Sequence, residues 1–317
     1  MNYELLIAHN NKLYKPDVLE GVTWETELKG VQGKLSFKML ADDKVFFTEG
    51  DAVRFKVDKD EIFYGFIFTM NSDKDNIISV TAYDQLRYLK NKDTYNFIDK
   101  TADEIIKMLA DDFLLKIGTL DNTKIKLKLV CDNQTLFDMI QTALDETLSL
   151  TGEFYVMYDD FGKITLKSLQ NMKLNVVIDE SSAENFNFTS TIDENTFNQI
   201  KLFFEDEKTS SKKVVPSADN NTIKQWGVLQ YTDTIKTLQD AEKKADTLLE
   251  LYNQKTKNLS VKNVFGHNKV RAGSLIGVQL NINDEKINSY MLVSQCKHDF
   301  KENHHTMDLT LRGNLYV

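Results

Sequence analysis

Three histidines, His298, His304 and His305, lie close together near the C-terminal end and are the side chains most suited to metal binding or acid-base chemistry. A zinc site would need a ligand spacing such as HExxH, and their segment, HDFKENHH, has none. The segment also has the pattern of extended chain, in which neighbouring side chains point to opposite faces. We therefore expect strand-end or turn histidines here and no metal ligands.

Paired acidic residues could in principle supply the two carboxylates of a glycosidase. The pairs are Asp111-Asp112, Asp159-Asp160 and Glu205-Asp206, each at a predicted helix end, turn or loop, where solvated charge is the ordinary explanation. The chain has no GxSxG, P-loop or GxGxxG segment, and no flanking signature would activate Cys131 as a nucleophile. We predict no catalytic, metal-binding or cofactor-binding residues, and no cofactor.

Composition limits the classes of function. The 317 residues are 41% hydrophobic, enough for two or three domains with their own cores. The net charge is -9 and the basic residues are dispersed, so we expect no specific nucleic-acid binding. No signal peptide or apolar run of membrane-spanning length is present, so we expect no membrane insertion. Cys131 and Cys296 have no metal spacing and are typical of buried thiols in a reducing cytoplasm, with a disulfide between them left open.

Alternating apolar residues predict a three-stranded antiparallel meander in residues 271–311. A weaker copy of it appears in residues 50–84, which also begin with a glycine followed by an alternating strand. The faces that would correspond are Val53, Phe55 and Val57 in the first copy and Ile276, Val278 and Leu280 in the second. We predict that the chain carries two related β-modules that superpose in this way.

The predicted fold is mixed and mainly β, with two related small β-barrel modules flanking an α+β middle domain. The first module covers residues 1–95. The middle domain, residues 96–185, has a helix capped by Thr101 and Glu104, a second helix over 135–148, and a hairpin that turns at Asp159 to Gly162. The second module, residues 186–317, includes a polar loop over 206–221 and a helix over 238–256.

Two aromatic segments, Phe46-Phe47 and residues 63–68, are apolar on both faces of a predicted strand. Such a strand needs a cover on each side. One interpretation is a strand fully buried inside one domain, and the other is an interface between protomers.

Three segments together resemble a known family: YDQLRYLKNKDTYNFIDKTADEII at 83–106, WGVLQYTDTI at 226–235, and AGSLIGV with HDF and HxMxLxL within 272–311. They are similar to the hub proteins of contractile-tail baseplates, in particular the XkdQ/YqbQ-like proteins of Gram-positive prophages and tail-like bacteriocins. The resemblance spans most of the chain. It implies a structural, non-enzymatic hub: a homotrimer whose paired modules form a pseudo-six-fold ring, with the middle domain at its periphery, joining the hexameric tail tube to the trimeric spike.

The implied partners are the tail tube protein, the spike protein and other baseplate and tape-measure components. The implied location is the baseplate of a virion or phage-tail-like particle assembled in the bacterial cytoplasm. One alternative, a tail-associated cell-wall hydrolase or peptidase, would require a separate catalytic domain. Another, a carbohydrate-binding β-protein, would require exposed tryptophans, and the sequence offers Trp24 and Trp226.

Overall fold

The computed structural model describes residues 2–41, 46–182, 185–206, 211–235, 237–282, 285–302 and 304–313. Within these ranges the chain forms 21 strands and four α-helices, so the mainly β fold class is confirmed. Thirteen of the strands belong to one sheet that runs from the N-terminal to the C-terminal part of the chain. No helix in the described ranges is long and apolar enough to cross a membrane.

The N-terminal module is an antiparallel arrangement of seven strands in the order β3-β4-β7-β6-β5-β1-β2. Alternate residues are buried, as in β5, where Val53, Phe55 and Val57 enter the core. The strands are β1 Tyr3–His9, β2 Lys12–Tyr14, β3 Val18–Glu27, β4 Lys34–Leu40, β5 Ala52–Val57, β6 Asp60–Ser72 and β7 Ile77–Tyr83.

The middle of the chain packs two helices against two small sheets. The Thr101 hydroxyl accepts the Glu104 N–H and the Glu104 carboxylate accepts the Thr101 N–H, so the predicted capping box is confirmed. Thr135 caps the second helix, and Gly152 ends it in the left-handed region at φ 74°. The elements are a 3-10 helix Gln85–Lys90, β8 Lys92–Lys100, α1 Ala102–Asp112, β9 Ile117–Leu120, β10 Leu127–Thr135, α2 Leu136–Thr151, β11 Tyr155–Asp159 and β12 Ile164–Ser168.

In the sequence, a segment that forms a separate three-stranded sheet with a covering helix is inserted between two strands of the large sheet. Its order is β16-β15-β17, and α4 packs its apolar face on it through Ala241, Ala245 and Leu248. The elements of this part are a 3-10 helix Leu169–Met172, β13 Lys173–Asp179, β14 Asn185–Thr191, β15 Gln199–Asp206, β16 Ser211–Ala218, α3 Asn220–Trp226, β17 Gln230–Ile235 and α4 Ala241–Tyr252.

The polar loop predicted over 206–221 is wrong where the structure describes it. Residues 211–218 form β16, and α3 begins at Asn220. The strand lies at a sheet edge with most of its side chains exposed, so a polar composition suits it. Pro216 is also tolerated at an edge, where a missing N–H breaks no central ladder. The helix predicted over 238–256 is present but shorter, because α4 spans Ala241–Tyr252.

The C-terminal module has the order β14-β18-β21-β20-β19-β13. The predicted meander is confirmed as its last three strands. The added strands are β18 Thr256–Phe265, β19 Leu275–Ile282, β20 Glu285–Lys301 and β21 His304–Gly313.

The strand order of the C-terminal module repeats that of β3-β4-β7-β6-β5-β1. The glycines that precede the corresponding strands β5 and β19 have φ of 89° and 92°. Gly50 donates its N–H to the Ile67 carbonyl, and Gly273 donates to the Val293 carbonyl, both at 2.8 Å. One difference is that β1 runs antiparallel to β5, whereas β13 runs parallel to β19.

The pairing registers fix which residues correspond. Phe66 of β6 lies opposite Ala52, and Leu292 of β20 lies opposite Leu275. In β6 and in β20 alike, a bulge in the pairing with the next strand falls two residues after this residue. Counting from these pairs, Val53-Phe55-Val57 corresponds to Ile276-Val278-Leu280, the correspondence that the sequence predicts. Closure of each module into a barrel stays a prediction.

Candidate functional site

The candidate site is the junction that joins the two modules. Residues 295–300 of β20 pair antiparallel with residues 22–27 of β3. The Phe300 side chain is fully buried in the core of the N-terminal module, with its ring 5.1 Å from that of Phe55. A strand of one module therefore contributes to the core of the other, which fixes their relative position.

Two of the three histidines meet in this junction. His298 is fully buried and stacks on Trp24 at 4.9 Å. Its Nε2 lies 2.8 Å from the Val270 carbonyl and its Nδ1 lies 2.8 Å from His305 Nε2. A carbonyl can only accept, so we assign the proton to Nε2 of His298 and make its Nδ1 the acceptor for His305. Burial lowers the pKa of His298 to about 3 and that of His305 to about 4, so both rings are neutral near neutral pH.

The expectation of strand-end or turn histidines is wrong for His298, which lies inside β20. His304 is exposed, on the opposite face of β21 from His305. The ring nitrogens of His298 are already used by Val270 and His305, and in the described ranges no group of three His, Cys, Asp or Glu side chains could hold a metal ion. The register of the β20-β21 hairpin brings the two rings together, and spacing along the sequence does not reveal that register.

The two cysteines are separate buried thiols and form no disulfide. Cys131 lies in the core of the middle part, and Cys296 lies in the C-terminal module with its sulfur 3.1 Å from His298 Nε2. The disulfide that the sequence leaves open is therefore absent from the fold.

Neither thiol is expected to react quickly with Ellman's reagent in the native protein. Each cysteine is 2% exposed, and burial raises the pKa of the Cys296 thiol, which suppresses the reactive thiolate. We expect both to react at once in concentrated guanidinium chloride. A Thr142→Cys variant, with a thiol at an exposed position of α2, is the positive control. Rapid labelling of the unmodified native chain would show that the junction or the middle core opens readily.

Buried charges lie where the two modules and the middle part meet. Asp84 follows β7 and is 3% exposed. Its two carboxylate oxygens accept the N–H groups of Gly33 at 2.8 Å and Leu86 at 3.1 Å. Arg271, just before β19, lies over the rings of Trp24 at 5.4 Å and Tyr158 at 4.3 Å. The arginine charge thus lies among aromatic faces at the junction, a favourable cation-π environment.

Asp159, at the end of β11, is the second buried carboxyl and is 5% exposed. Its Oδ1 accepts the Gly162 N–H at 2.6 Å, while its Oδ2 has no hydrogen-bond partner among the described residues. Burial raises the pKa of Asp159 to about 6, although the Gly162 N–H and the Arg271 charge act in the opposite direction. Burial, followed by the charge of Asp159, also raises the pKa of Asp84. Because both Asp84 oxygens already accept N–H groups, we assign the proton of this pair to Asp159 Oδ2.

This arrangement of two matching modules and a buried junction spans most of the chain. A family model described as YqbQ-like matches residues 22–312. The chain belongs to the YqbQ-like family. The resemblance found in the sequence is therefore confirmed.

Two relatives of this YqbQ-like chain come from Bacillus subtilis (strain 168). The uncharacterized protein YqbQ is 28% identical over 296 residues, which cover 92% of this chain and 89% of the relative. The phage-like element PBSX protein XkdQ is 29% identical over 276 residues, which cover 84% of this chain and 83% of the relative.

Solved structures with the same fold include the tail protein from Neisseria meningitidis MC58. It has a TM-score of 0.71 at 13% identity, covering 100% of this chain and 98% of that one. The E. coli c3393 protein, a type VI secretion component with structural similarity to the T4 tail proteins gp27 and gp5, has a TM-score of 0.59 at 11% identity, covering 98% and 76%. The YqbQ-like chain therefore has the fold of phage tail proteins.

The predicted acidic pairs have different environments in this YqbQ-like protein. Asp111 and Asp112 are exposed at the end of α1, as predicted for solvated charge. Glu205 lies 3.7 Å from Lys212 on the neighbouring strand, and the side chain of Asp206 lies outside the described residues. For Asp159 the prediction is wrong, because the hairpin directs that side chain into the junction and leaves Asp160 in solvent.

The aromatic strand β6 is buried on one face and half-covered on the other. Phe63 and Ile67 enter the core, whereas Tyr64, Phe66 and Phe68 are only partly buried. The interpretation as a fully buried strand is therefore wrong. Rings from the following segment and the middle part cover the second face in part: Phe161 lies 5.7 Å from Tyr64, and Tyr88 lies 6.1 Å from Phe66 and 6.0 Å from Phe68. In the other aromatic segment, Phe46 is 66% exposed.

The tryptophans do not form an exposed aromatic platform. Trp24 is 3% exposed inside the junction, and Trp226 is partly buried at the end of α3. The carbohydrate-binding alternative would need exposed tryptophans, and Trp24 is not exposed.

Proposed function

We propose that this protein is a structural hub of a phage-like contractile-tail baseplate. In this proposal three copies form a pseudo-six-fold ring that joins a hexameric tail tube to a trimeric spike. The observation that carries the proposal is the internal duplication: two modules with the same strand order and the same glycine-initiated strands occur in one chain. Three such chains supply six similar modules.

The mechanism is a match of symmetries. A closed ring needs repeated interfaces, and a duplicated protomer can present nearly equivalent surfaces six times while retaining exact three-fold symmetry. The fixed β3-β20 junction suits this role, because a hub under load must keep its two modules in one relative orientation. The proposed partners are the tail tube protein on one face, the spike on the other, and further baseplate and tape-measure components, in a particle assembled in the bacterial cytoplasm.

A catalytic role has no support from the junction. Asp84 and Asp159 are 3% and 5% exposed, so a polymeric cell-wall substrate cannot reach their carboxyl groups. The solved tail protein with the same fold supports a structural role. We therefore propose that the chain is not an enzyme and needs no cofactor.

Purified protein is expected to have a mass in solution of three times the 36.5 kDa chain. Light scattering coupled to size exclusion, over a range of protein concentrations, measures this, and averaged electron micrographs of the same fraction should show rings. A stable monomer or dimer at the highest concentration would contradict the proposal. Clearing of cell-wall substrate in a zymogram would support the hydrolase alternative instead.

A further inference from the structure

Among the open strand edges in the described part of the protomer, one belongs to each β-module and the two are related by the duplication. The strand β14 pairs with β18 on one side only, and residues 69–72 of β6 pair with β7 but not with β5. Both edges are largely solvent-exposed, including Thr69 and Asn71 on β6 and Thr189 and Ser190 on β14. An open edge presents unpaired N–H and C=O groups and is a ready site for another strand.

The internal duplication shows which strand each edge can accept. By strand order, β14 corresponds to β3, and β6 corresponds to β20. Within the chain, β3 pairs with the second half of β20, after the bulge that follows Val293. The equivalent part of β6 follows its own bulge after Ile67 and is one of the two open edges. The corresponding partner, β14, is the other.

We propose that β14 of one protomer pairs antiparallel with residues 69–72 of β6 in a second copy of this chain, repeating the β3-β20 junction between chains. The proposal rests on the trimeric hub and specifies its interface. The in-chain pairs Gln295-Glu27, Cys296-Thr26, Lys297-Glu25 and His298-Trp24 set the register. The strand pairings in the two modules identify the equivalent residue of β6 for each residue of β20, and of β14 for each residue of β3. The predicted pairs between chains are therefore Thr69-Thr191, Met70-Ser190, Asn71-Thr189 and Ser72-Phe188.

The side chains of β14 agree with this assignment. Phe188 corresponds to Trp24, which is 3% exposed in the junction, and Phe186 corresponds to Val22, which is 1% exposed there. In the protomer Phe186 is 38% exposed and Phe188 is partly buried. A partner strand laid along β14 would cover the ring of Phe188, the last residue of the predicted ladder, whereas Phe186 lies two residues beyond it.

The interface between chains is shorter than the junction that it repeats. The in-chain ladder pairs six residues of each strand, whereas β6 ends at Ser72 and offers four. The residue equivalent to Phe300 is Lys74, so no large apolar side chain crosses into the neighbouring core. The assembly should therefore dissociate before the two modules of one chain separate.

A double-cysteine variant tests the register. Asn71→Cys with Thr189→Cys places two thiols on directly paired residues, whose Cα atoms lie about 4.5–5.5 Å apart in an antiparallel ladder and within disulfide range. Mild oxidation should give covalent dimers and trimers on a non-reducing gel. The matched control, Asn71→Cys with Asn185→Cys, uses the same strand and face but shifts the second thiol by four residues, about 13 Å, and should stay uncrosslinked.

Charge variants test the same contact without oxidation. Asn71→Lys with Thr189→Glu copies the in-chain Lys297-Glu25 pair and should keep the assembly, whereas Asn71→Lys with Thr189→Lys should weaken each interface about two- to five-fold. Sedimentation at several concentrations measures both. A wild-type trimer that neither crosslinks in the predicted register nor responds to the charge variants would overturn this interface alone. A wild-type chain that stays monomeric would overturn the hub as well.

Discussion

Truncation of Phe300 to alanine is expected to lower the free energy of unfolding by about 3–5 kcal/mol, the usual range for a fully buried phenylalanine. The ring is 0% exposed and lies in the core of the module to which its own strand does not belong. Its loss removes apolar contacts with Phe55 and leaves a cavity beside His305, whose ring lies 4.1 Å away. The effect should be large because this side chain belongs to a strand of one module and packs in the core of the other.

Urea unfolding followed by tryptophan fluorescence measures this change, since Trp24 stacks on His298 two residues from Phe300. The matched control is Phe265→Ala, because that ring is 74% exposed on the same module. We expect the control to change the stability by no more than about 0.5 kcal/mol. Equal effects of the two truncations would show that Phe300 does not hold the junction together.

Replacement of Asp159 by asparagine is expected to remove the contribution of Asp159 to the pH dependence of stability between about pH 4 and 6, while that of Asp84 remains. Burial raises the pKa of Asp159 from 3.8 to about 6, so the native state keeps a proton that the unfolded chain has released. The native state is then favoured most below the unfolded pKa and loses stability as the pH rises to the native pKa. A shift of this size corresponds to about 3 kcal/mol, constant above pH 6 and absent from the variant.

Urea titrations at several pH values, for the wild type, Asp159→Asn and Asp160→Asn, isolate this contribution. Asp160 is the exposed neighbour in the same turn and should leave the wild-type profile unchanged. The difference between wild type and Asp159→Asn should widen as the pH rises from 4 to 6 and then stay constant. A difference that does not vary with pH would show that Asp159 is ionised in the folded protein throughout this range.

Local patterns in the sequence were sufficient for most elements of the fold. The capping box at Thr101 and Glu104 predicted the start of α1, and alternation predicted the C-terminal meander. Local patterns failed where polarity reflected position at a sheet edge rather than loop structure. The edge strand β16 has the composition of a loop, because a strand with one neighbouring strand and a solvent-exposed face needs few apolar side chains.

The sequence by itself determined the duplication of the β-modules, because alternation and an initial glycine are properties of each strand alone. Only the tertiary structure decided that β3 is the second strand to pair with β21's neighbour β20. Thr23 and Asp299 hydrogen-bond across that pairing although they are 276 residues apart, and no local pattern records such a distance. The burial of Asp159 and the meeting of His298 with His305 follow from how those strands and hairpins pack, since burial and register depend on neighbours that the chain brings together only when it folds.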